Sequence, residues 1–295
     1  MRWKDALTDF LHYVKLERGL SDNSVENYRF DVLKLTRFLT EHNNAISPID
    51  IKSTTIQSFV YESSKKLKAP SQARMLSGLR LFFDFLILEG LRKDNPLDLI
   101  ESPKLGSNLP TTLSVDEVDA LIETHNSEKP LELRNMAIIE VLYSCGLRVS
   151  ELVKLRLSDL FFEEELIKVL GKGNKERFVP IATSAREYIL DYLQHRGIPS
   201  KGYEDFLFLN NRGKYLTRAM VFTLVRRAAT KAGITKKISP HSLRHSFATH
   251  LVENGADIST VQQMLGHANI TTTERYLHMS KKHLKESLIK YHPRG

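Results

Sequence analysis

The chain has 295 residues, which exceeds the usual size of a single core and favours two domains. Lysine and arginine number 43 against 35 acidic residues, and the net charge of +8 favours an anionic partner such as nucleic acid. Cys145 is the only cysteine, which excludes an internal disulfide and a cysteine-rich zinc site. With no signal-peptide pattern and no apolar run of about 18 residues, we expect a soluble cytoplasmic protein.

The first hundred residues have the apolar period of helices. In "SDNSVENYRFDVLKLTRFLTEH", residues 21–42, apolar side chains recur at steps of three and four, as on one side of a helix. Three further segments repeat this period, around Leu7, at "TTIQSFVYESS" and at "PSQARMLSGLRLFFDFLILEG". We therefore predict a small all-α domain over residues 1–101.

Residues 102–113, "SPKLGSNLPTTL", lose this period and are predicted to be a linker. A second domain over residues 114–295 begins with a helix whose Ser114 and Glu117 have capping-box spacing. Later segments predict a buried helix ending at Gly146, a helical "VSELVKLRLSDL", and a β-hairpin around "GKGN". We also expect a strand at "DFLFLN" and a tail helix over 281–295, so the fold class is mainly α with a small β-sheet.

The segment "SPHSLRHSFATHL", residues 239–251, combines histidines with an arginine. Ser239 and Pro240 are typical of a helix start, which would put His241 and Arg244 on one face. His241 and His245 have the spacing of a zinc helix, but Ser242 stands where that motif needs its glutamate. We favour a phosphate site, because a guanidinium matches phosphate oxygens. We predict no metal, because the glutamate of the zinc motif is missing.

Two other segments could complete such a site. In "GLRVSEL", Arg148 is either a surface arginine paired with Glu151 or a second phosphate clamp. In "LGHANITTTERYLH", residues 265–278, His267 follows a glycine and Tyr276 lies just inside a short helix. On spacing alone, a packing role for that tyrosine remains open.

Taken in order, these segments resemble the Arg, His-x-x-Arg, His and Tyr set of the tyrosine site-specific recombinases, the phage integrase family. "VLGKGNKERFVP" resembles the β-hairpin of that family, with Lys172 at the position of its catalytic lysine. "LERGLSDNSVENYRFD" and "NPLDLIESPKL" resemble the N-terminal domain and linker of the Xer type more than those of phage integrases. The resemblance implies a helical, SAM-like DNA-binding domain and a mixed α/β catalytic domain that close around DNA as a C-shaped clamp.

The resemblance also implies a mechanism without metal, ATP or any other cofactor. Tyr276 would attack the scissile phosphate and form a 3′-phosphotyrosyl link, while His241 acts as the base. Glu151 would orient the arginine or the histidine. Arg148, Arg244 and His267 would stabilise the transition state. Lys172 would protonate the departing 5′ oxygen.

The family resemblance further implies partners. We expect Arg74, Arg80, Arg226 and Arg227 to contact DNA phosphates. We also expect a homo- or hetero-tetramer on a specific DNA site, in which a second Xer recombinase can take part. The tail helix could pack on its own domain, but we favour docking on the neighbouring subunit, as in relatives. An FtsK-like DNA translocase would activate the assembly. The expected function is chromosome-dimer resolution at a dif-like site, in the nucleoid. The alternatives are an integrase or resolvase of a mobile element and, less favoured, a non-catalytic DNA-binding protein.

Overall fold

The structure is a computed structural model that describes residues 1–104, 111–125, 128–171, 175–266 and 281–295. The chain divides into two compact units, Met1–Asn108 and Leu109–Gly295, each with a hydrophobic core of its own. Within the described residues, no helix is both long and apolar enough to cross a membrane.

The first unit is entirely helical. A π-helical turn at Tyr13–Glu17 extends the first of its helices, which are α1 (Trp3–His12), α2 (Asp22–Glu41), α3 (Ser53–Lys66) and α4 (Ala69–Leu88). The apolar side of each helix faces a common core, in which the rings of Phe10 and Phe82 meet edge to face at 5.3 Å. The predicted all-α character is therefore confirmed.

The second unit combines helices with a three-stranded antiparallel sheet of order β1-β2-β3. The strands are β1 (Leu160–Phe161), β2 (Leu166–Leu170) and β3 (Glu176–Pro180). The helices are α5 (Val115–Glu123), α6 (Pro130–Ser144), α7 (Val149–Leu152), α8 (Thr183–Gln194), α9 (Arg218–Lys231), α10 (Pro240–Glu253), α11 (Ile258–Leu265) and α12 (Lys281–Tyr291). The mainly α fold with a small sheet is confirmed.

Helix α6 forms the centre of this unit. Its residues from Ala137 to Ser144 are all buried, which is why its sequence shows no polar side. The helix ends before Gly146, whose φ of +59° is the left-handed conformation that glycine adopts without strain. At α5 the predicted capping box is present, since Ser114 and Glu117 each accept from the other's backbone N–H.

The strands and short helices differ in part from the prediction. β2 and β3 form the predicted hairpin, but β1 has only two residues and was missed. The helical reading of "VSELVKLRLSDL" is wrong beyond α7, where only a 3₁₀ turn at Leu157–Asp159 follows. The predicted strand at "DFLFLN" is reduced to isolated bridges at Phe206 and Leu209, because the Arg196 guanidinium takes the carbonyls of residues 204, 206 and 207.

The tail packs on its own unit. Helix α12 lies against β3, α10 and α11. Beyond it, His292 is buried against the rings of Tyr143 and Phe247, and Arg294 pairs with Asp119. Docking of the tail on a neighbouring subunit stays a prediction.

Candidate active site

Helix α10 begins as its sequence predicts. Pro240 is its first residue, and the backbone N–H of Ser239 donates to Ser242 Oγ across 3.2 Å. His241 is exposed in the first turn, whereas Arg244, one turn later, is only 5% exposed. The start of α10 therefore presents a histidine to solvent and buries the arginine that follows it.

Two carbonyl groups from other parts of the chain hold Arg244. Its Nη1 donates to Gly146 O across 2.6 Å, and its Nη2 donates to Leu265 O across 2.7 Å. The left-handed turn at Gly146 aims its carbonyl here, and a Cβ on that residue would lie 2.5 Å from Phe247 Cδ1. Arg244 thus connects α10, the turn before α7 and the end of α11.

Arg148 stands at the start of α7 and pairs with Glu151 of the same helix. The Glu151 carboxylate accepts from the backbone N–H and from Nη1 of Arg148, both across 2.8 Å. Arg148 Nη2 also donates to Gly266 O across 3.2 Å. The simple surface pair is excluded, since the Glu151 side chain is only 2% exposed.

Sequence reasoning missed Arg177, which lies on β3. Its Nη1 and Nη2 donate to Oε1 and Oε2 of Glu151 across 2.8 and 3.0 Å, and its Nε donates to Met264 O across 3.1 Å. The one available signal was an arginine inside the otherwise apolar start of a predicted strand, "RFVPI". A charged residue in such a run needs a partner, and Glu151 is that partner.

Glu151 is the centre of this arrangement. Burial opposes ionisation of its carboxyl group, but hydrogen bonds and positive charge from Arg177 and Arg148 outweigh burial and lower its pKa. Arg244 Nη1 lies 3.9 Å from Glu151 Oε2. Burial, followed by the positive charge of Arg148, lowers the pKa of Arg244 to about 10, so its guanidinium stays charged at neutral pH.

This arrangement is suited to an anion. Three guanidinium groups share one carboxylate, which leaves an excess of positive charge and planar donors that match phosphate oxygens. Within the described ranges, no group of three or more His, Cys, Asp or Glu side chains has the arrangement of a metal site. The chemistry that these residues support is transfer at a phosphoryl group.

Three of the predicted site residues, Lys172, His267 and Tyr276, lie outside the described residues. The described residues directly before Lys172 and His267 lie at the site. Gly171 N–H donates to Lys175 O across 2.8 Å at the base of the hairpin. Gly266, which precedes His267, ends α11 in the left-handed conformation and accepts from Arg148.

Comparison with known proteins identifies the family. Residues 111–283 match the phage integrase family, and residues 7–90 match the N-terminal SAM-like domain of phage integrases. The tyrosine recombinase XerD of Oceanobacillus iheyensis is 42% identical over 294 residues, which cover 98% of this chain and 99% of that protein. This chain belongs to the phage integrase family of tyrosine recombinases. The resemblance seen in the sequence, including its Xer type, is confirmed.

Two further proteins support the assignment. The XerD of Yersinia pestis is 43% identical to this recombinase over 297 residues, 98% of this chain and 97% of that protein. The crystal structure of the XerH site-specific recombinase bound to a palindromic difH substrate, a post-cleavage complex, is 25% identical. It superposes with a TM-score of 0.70 over 95% of this chain and 83% of that one.

The predicted DNA-binding arginines of the recombinase differ in their surroundings. Arg226 and Arg227 are exposed on α9. Arg74 on α4 instead places its two Nη atoms on the buried carboxylate of Asp31, across 2.8 and 2.5 Å. Arg80 donates to Ser102 Oγ across 3.0 Å and to the carbonyl of Ile100. Arg74 and Arg80 therefore stabilise the first unit, and DNA contact by any of the four stays a prediction.

The remaining polar residues near α10 are structural. His250 is buried, and its Nδ1 lies 2.8 Å from Tyr143 Oη. His245 is half-buried. Cys145 is buried, and burial raises the pKa of its thiol to about 12, so it is not an activated thiolate. Cys145 and His250 therefore have packing roles.

Proposed function

We propose that this chain cuts and rejoins DNA at a specific site through a 3′-phosphotyrosyl intermediate, and that it resolves chromosome dimers at a dif-like site. The observation that carries the proposal is the convergence of Arg148 and Arg244 around Glu151, next to Gly266. A pair of arginines from two different helices, drawn to one buried carboxylate, is suited to grip the two non-bridging oxygens of one phosphodiester.

The two arginines are prepared differently for that task. Arg244 is fixed by two backbone carbonyls, and each of its terminal nitrogens carries a second N–H that can reach a phosphate oxygen. Arg148 is more accessible, with 34% of its side chain exposed, and Glu151 orients it. Donors held in place before the substrate binds lower the barrier, because they need no reorganisation as charge develops.

We assign the covalent steps to four further residues of the sequence. Tyr276 attacks the phosphorus, and the bond from phosphorus to the 5′ oxygen breaks. A phenol with an ordinary pKa near 10 needs a base at neutral pH, and the exposed His241 at the start of α10 is suited to accept its proton. Lys172 gives a proton to the leaving 5′ oxygen, and His267 adds a donor to the phosphate. The phosphotyrosyl link keeps the energy of the phosphodiester, so a second 5′-hydroxyl reverses the attack without ATP.

The biological role follows the relatives. Proteins named XerD match over almost the entire chain, and the XerH relative was crystallised on a difH substrate. We propose that the chain acts as a homo- or hetero-tetramer on its site, that a second Xer recombinase shares the synapse, and that an FtsK-like translocase activates it. In this assembly Arg226 and Arg227 contact the DNA backbone.

The chemistry is tested with a nicked suicide substrate that carries the recombination site, in buffer without magnesium. We expect a covalent protein–DNA adduct from the wild type and none from Tyr276→Phe. Tyr215→Phe is the matched control, because Tyr215 is a partly exposed tyrosine that stacks on Phe206 away from the site. An adduct from Tyr276→Phe, or binding with steep salt dependence but no adduct from the wild type, would overturn the proposal.

The site itself is found by recovering genomic fragments that stay covalently attached to the wild-type protein under denaturing conditions. Enrichment of one chromosomal locus with two inverted half-sites supports dimer resolution. Enrichment of the ends of a mobile element would replace that role by integration or excision, with the chemistry unchanged.

A further inference from the structure

The hydrogen bonds of Arg177 connect parts of the chain that are distant in sequence. Each of its three guanidinium nitrogens has an acceptor, on Glu151 of α7 or at Met264 of α11. Only 15% of the side chain is exposed. A planar fork with all three nitrogens hydrogen-bonded within the protein has the geometry of a fixed structural element.

Arg177 lies on β3 and contacts both the hairpin and the end of α11. Arg177 pairs with Val169 across the hairpin, five positions along the chain from Lys172. Gly266 packs against the same guanidinium, since a Cβ there would lie 2.9 Å from Arg177 Nε. Arg177 therefore joins the base of the hairpin to the end of α11, directly before His267.

Glu151 transmits the effect to the arginine pair. Arg148 and Arg177 donate to the same Oε1 of Glu151, so the place of this carboxylate depends on both. Without Arg177, the carboxylate would keep Arg148 as its close partner, with Arg244 at 3.9 Å. The buried carboxylate would then rotate toward the remaining donors and move Arg148 with it.

We propose that Arg177 is a positioning residue of the recombinase: it sets Glu151, and through it Arg148, and it aligns the hairpin with the end of α11. It touches neither DNA nor the reacting atoms. This inference rests on the proposed function, since it assigns to Arg177 the alignment of groups that act in strand cleavage.

The test compares DNA binding with single-turnover cleavage of the nicked substrate. Arg177→Met should slow cleavage by between about tenfold and about 100-fold, because small displacements of catalytic groups have effects of this size. DNA affinity and its salt dependence should not change, because no phosphate contact is lost. Arg156→Met is the matched control, since Arg156 pairs with Asp205 on the surface, and its cleavage rate should equal that of the wild type.

A double-mutant cycle with Glu151→Gln identifies the route of the effect. If Arg177 acts through Glu151, Arg177→Met should slow the Glu151→Gln enzyme much less than it slows the wild type. An equal slowing in both backgrounds, or a weakened affinity that accounts for the loss of rate, overturns the inference.

If Arg177→Met does not fold, Arg177→Lys takes its place. Lysine keeps the charge but cannot form the fork, so cleavage should again slow with affinity unchanged, and a wild-type rate overturns the inference. A wild type that forms no covalent adduct, either with the nicked substrate or with genomic DNA, fails the proposed function, and this inference with it. A normal wild-type adduct together with an unaffected Arg177→Met fails only the inference.

Discussion

Arg244 Nη1 donates to the carbonyl oxygen of Gly146 across 2.6 Å, and Gly146 lies two positions before Arg148. The two arginines of the site are therefore connected through the backbone as well as through Glu151. The turn after α6 also accepts a hydrogen bond from the arginine of α10, so the conformation of one glycine affects both of the proposed phosphate-binding groups.

Gly146→Ala should destabilise the protein and slow cleavage. The new Cβ would be strained at a φ of +59° and would overlap Phe247, so we expect a loss of about 3 kcal/mol in the free energy of unfolding. Urea denaturation followed by circular dichroism measures it. Gly233→Ala is the control, because its φ is +70° and nothing lies within 4 Å of its Cβ, so it should lose only the strain energy. Equal losses would contradict the role of Phe247.

Lysine substitutions should distinguish the roles of Arg148 and Arg244 in cleavage and in stability. Arg148→Lys and Arg244→Lys should each slow cleavage by about 100-fold to about 1000-fold, the cost of a lost transition-state donor. Arg244→Lys should also lower the free energy of unfolding by about 2 kcal/mol, more than Arg148→Lys does, because two buried carbonyls lose their donors. Urea denaturation and single-turnover cleavage of both variants check this. Equal stability of the two variants would contradict the structural role of Arg244.

The contribution of Glu151 to stability should depend on pH. Its pKa in the folded protein is below its ordinary value of 4.5, so the stabilisation is complete above that value and is lost as the pH falls through the folded pKa. Glu151→Gln should lower the free energy of unfolding by about 3 kcal/mol near neutral pH, and by less in acid. Glu26→Gln, which loses a surface fork with Arg29, is the control and should show little change. A difference that does not depend on pH would contradict the charge on Glu151.

The buried His292 should make the protein sensitive to mild acid. Burial, with the charges of His250 and Arg294, lowers the pKa of His292 to about 3, whereas the unfolded chain has the ordinary value of 6.5. The unfolded state then binds more protons, so stability should fall as the pH drops below 6.5, by about 2 kcal/mol at about pH 5.

His292→Phe should remove most of this acid sensitivity, since a phenyl ring can pack on Tyr143 and Phe247 without titrating. Urea denaturation at about pH 7 and about pH 5 measures the difference. His195→Gln, at an exposed position, should keep the sensitivity of the wild type. If the stability of His292→Phe also falls in acid as that of the wild type does, His292 is not held neutral in the folded protein.

Much of the site could be predicted because its residues lie in short, ordered motifs. Ser239 and Pro240 determine where α10 begins, and so the spacing of His241 and Arg244 already has a structural meaning in the sequence. Arg148 and Glu151 are also close in sequence, and their pairing follows from helical spacing. Local rules suffice for these contacts.

Arg177 could not be predicted in this way. Its partners Glu151 and Met264 are distant in sequence, and a fork between a strand and two helices depends on how the elements pack. The failed strand at "DFLFLN" has the same cause, since the guanidinium of Arg196 competes for carbonyls that a neighbouring strand would otherwise use. A side chain that hydrogen-bonds backbone carbonyls does not change the spacing of apolar residues, so the sequence pattern does not reveal the contact.

Three guanidinium groups around one buried carboxylate also affect the energetics of DNA binding. Burial is the main cause of the lowered pKa of Arg244, and the positive charges of Arg148 and Arg177 add to it, because like charges repel in the unbound domain. We expect a bound phosphodiester to relieve this repulsion, so that part of the affinity for DNA would come from it. By linkage, binding at this site should also raise the melting temperature of the domain. Repulsion that lowers the stability of the unbound domain would in this way raise its affinity for DNA.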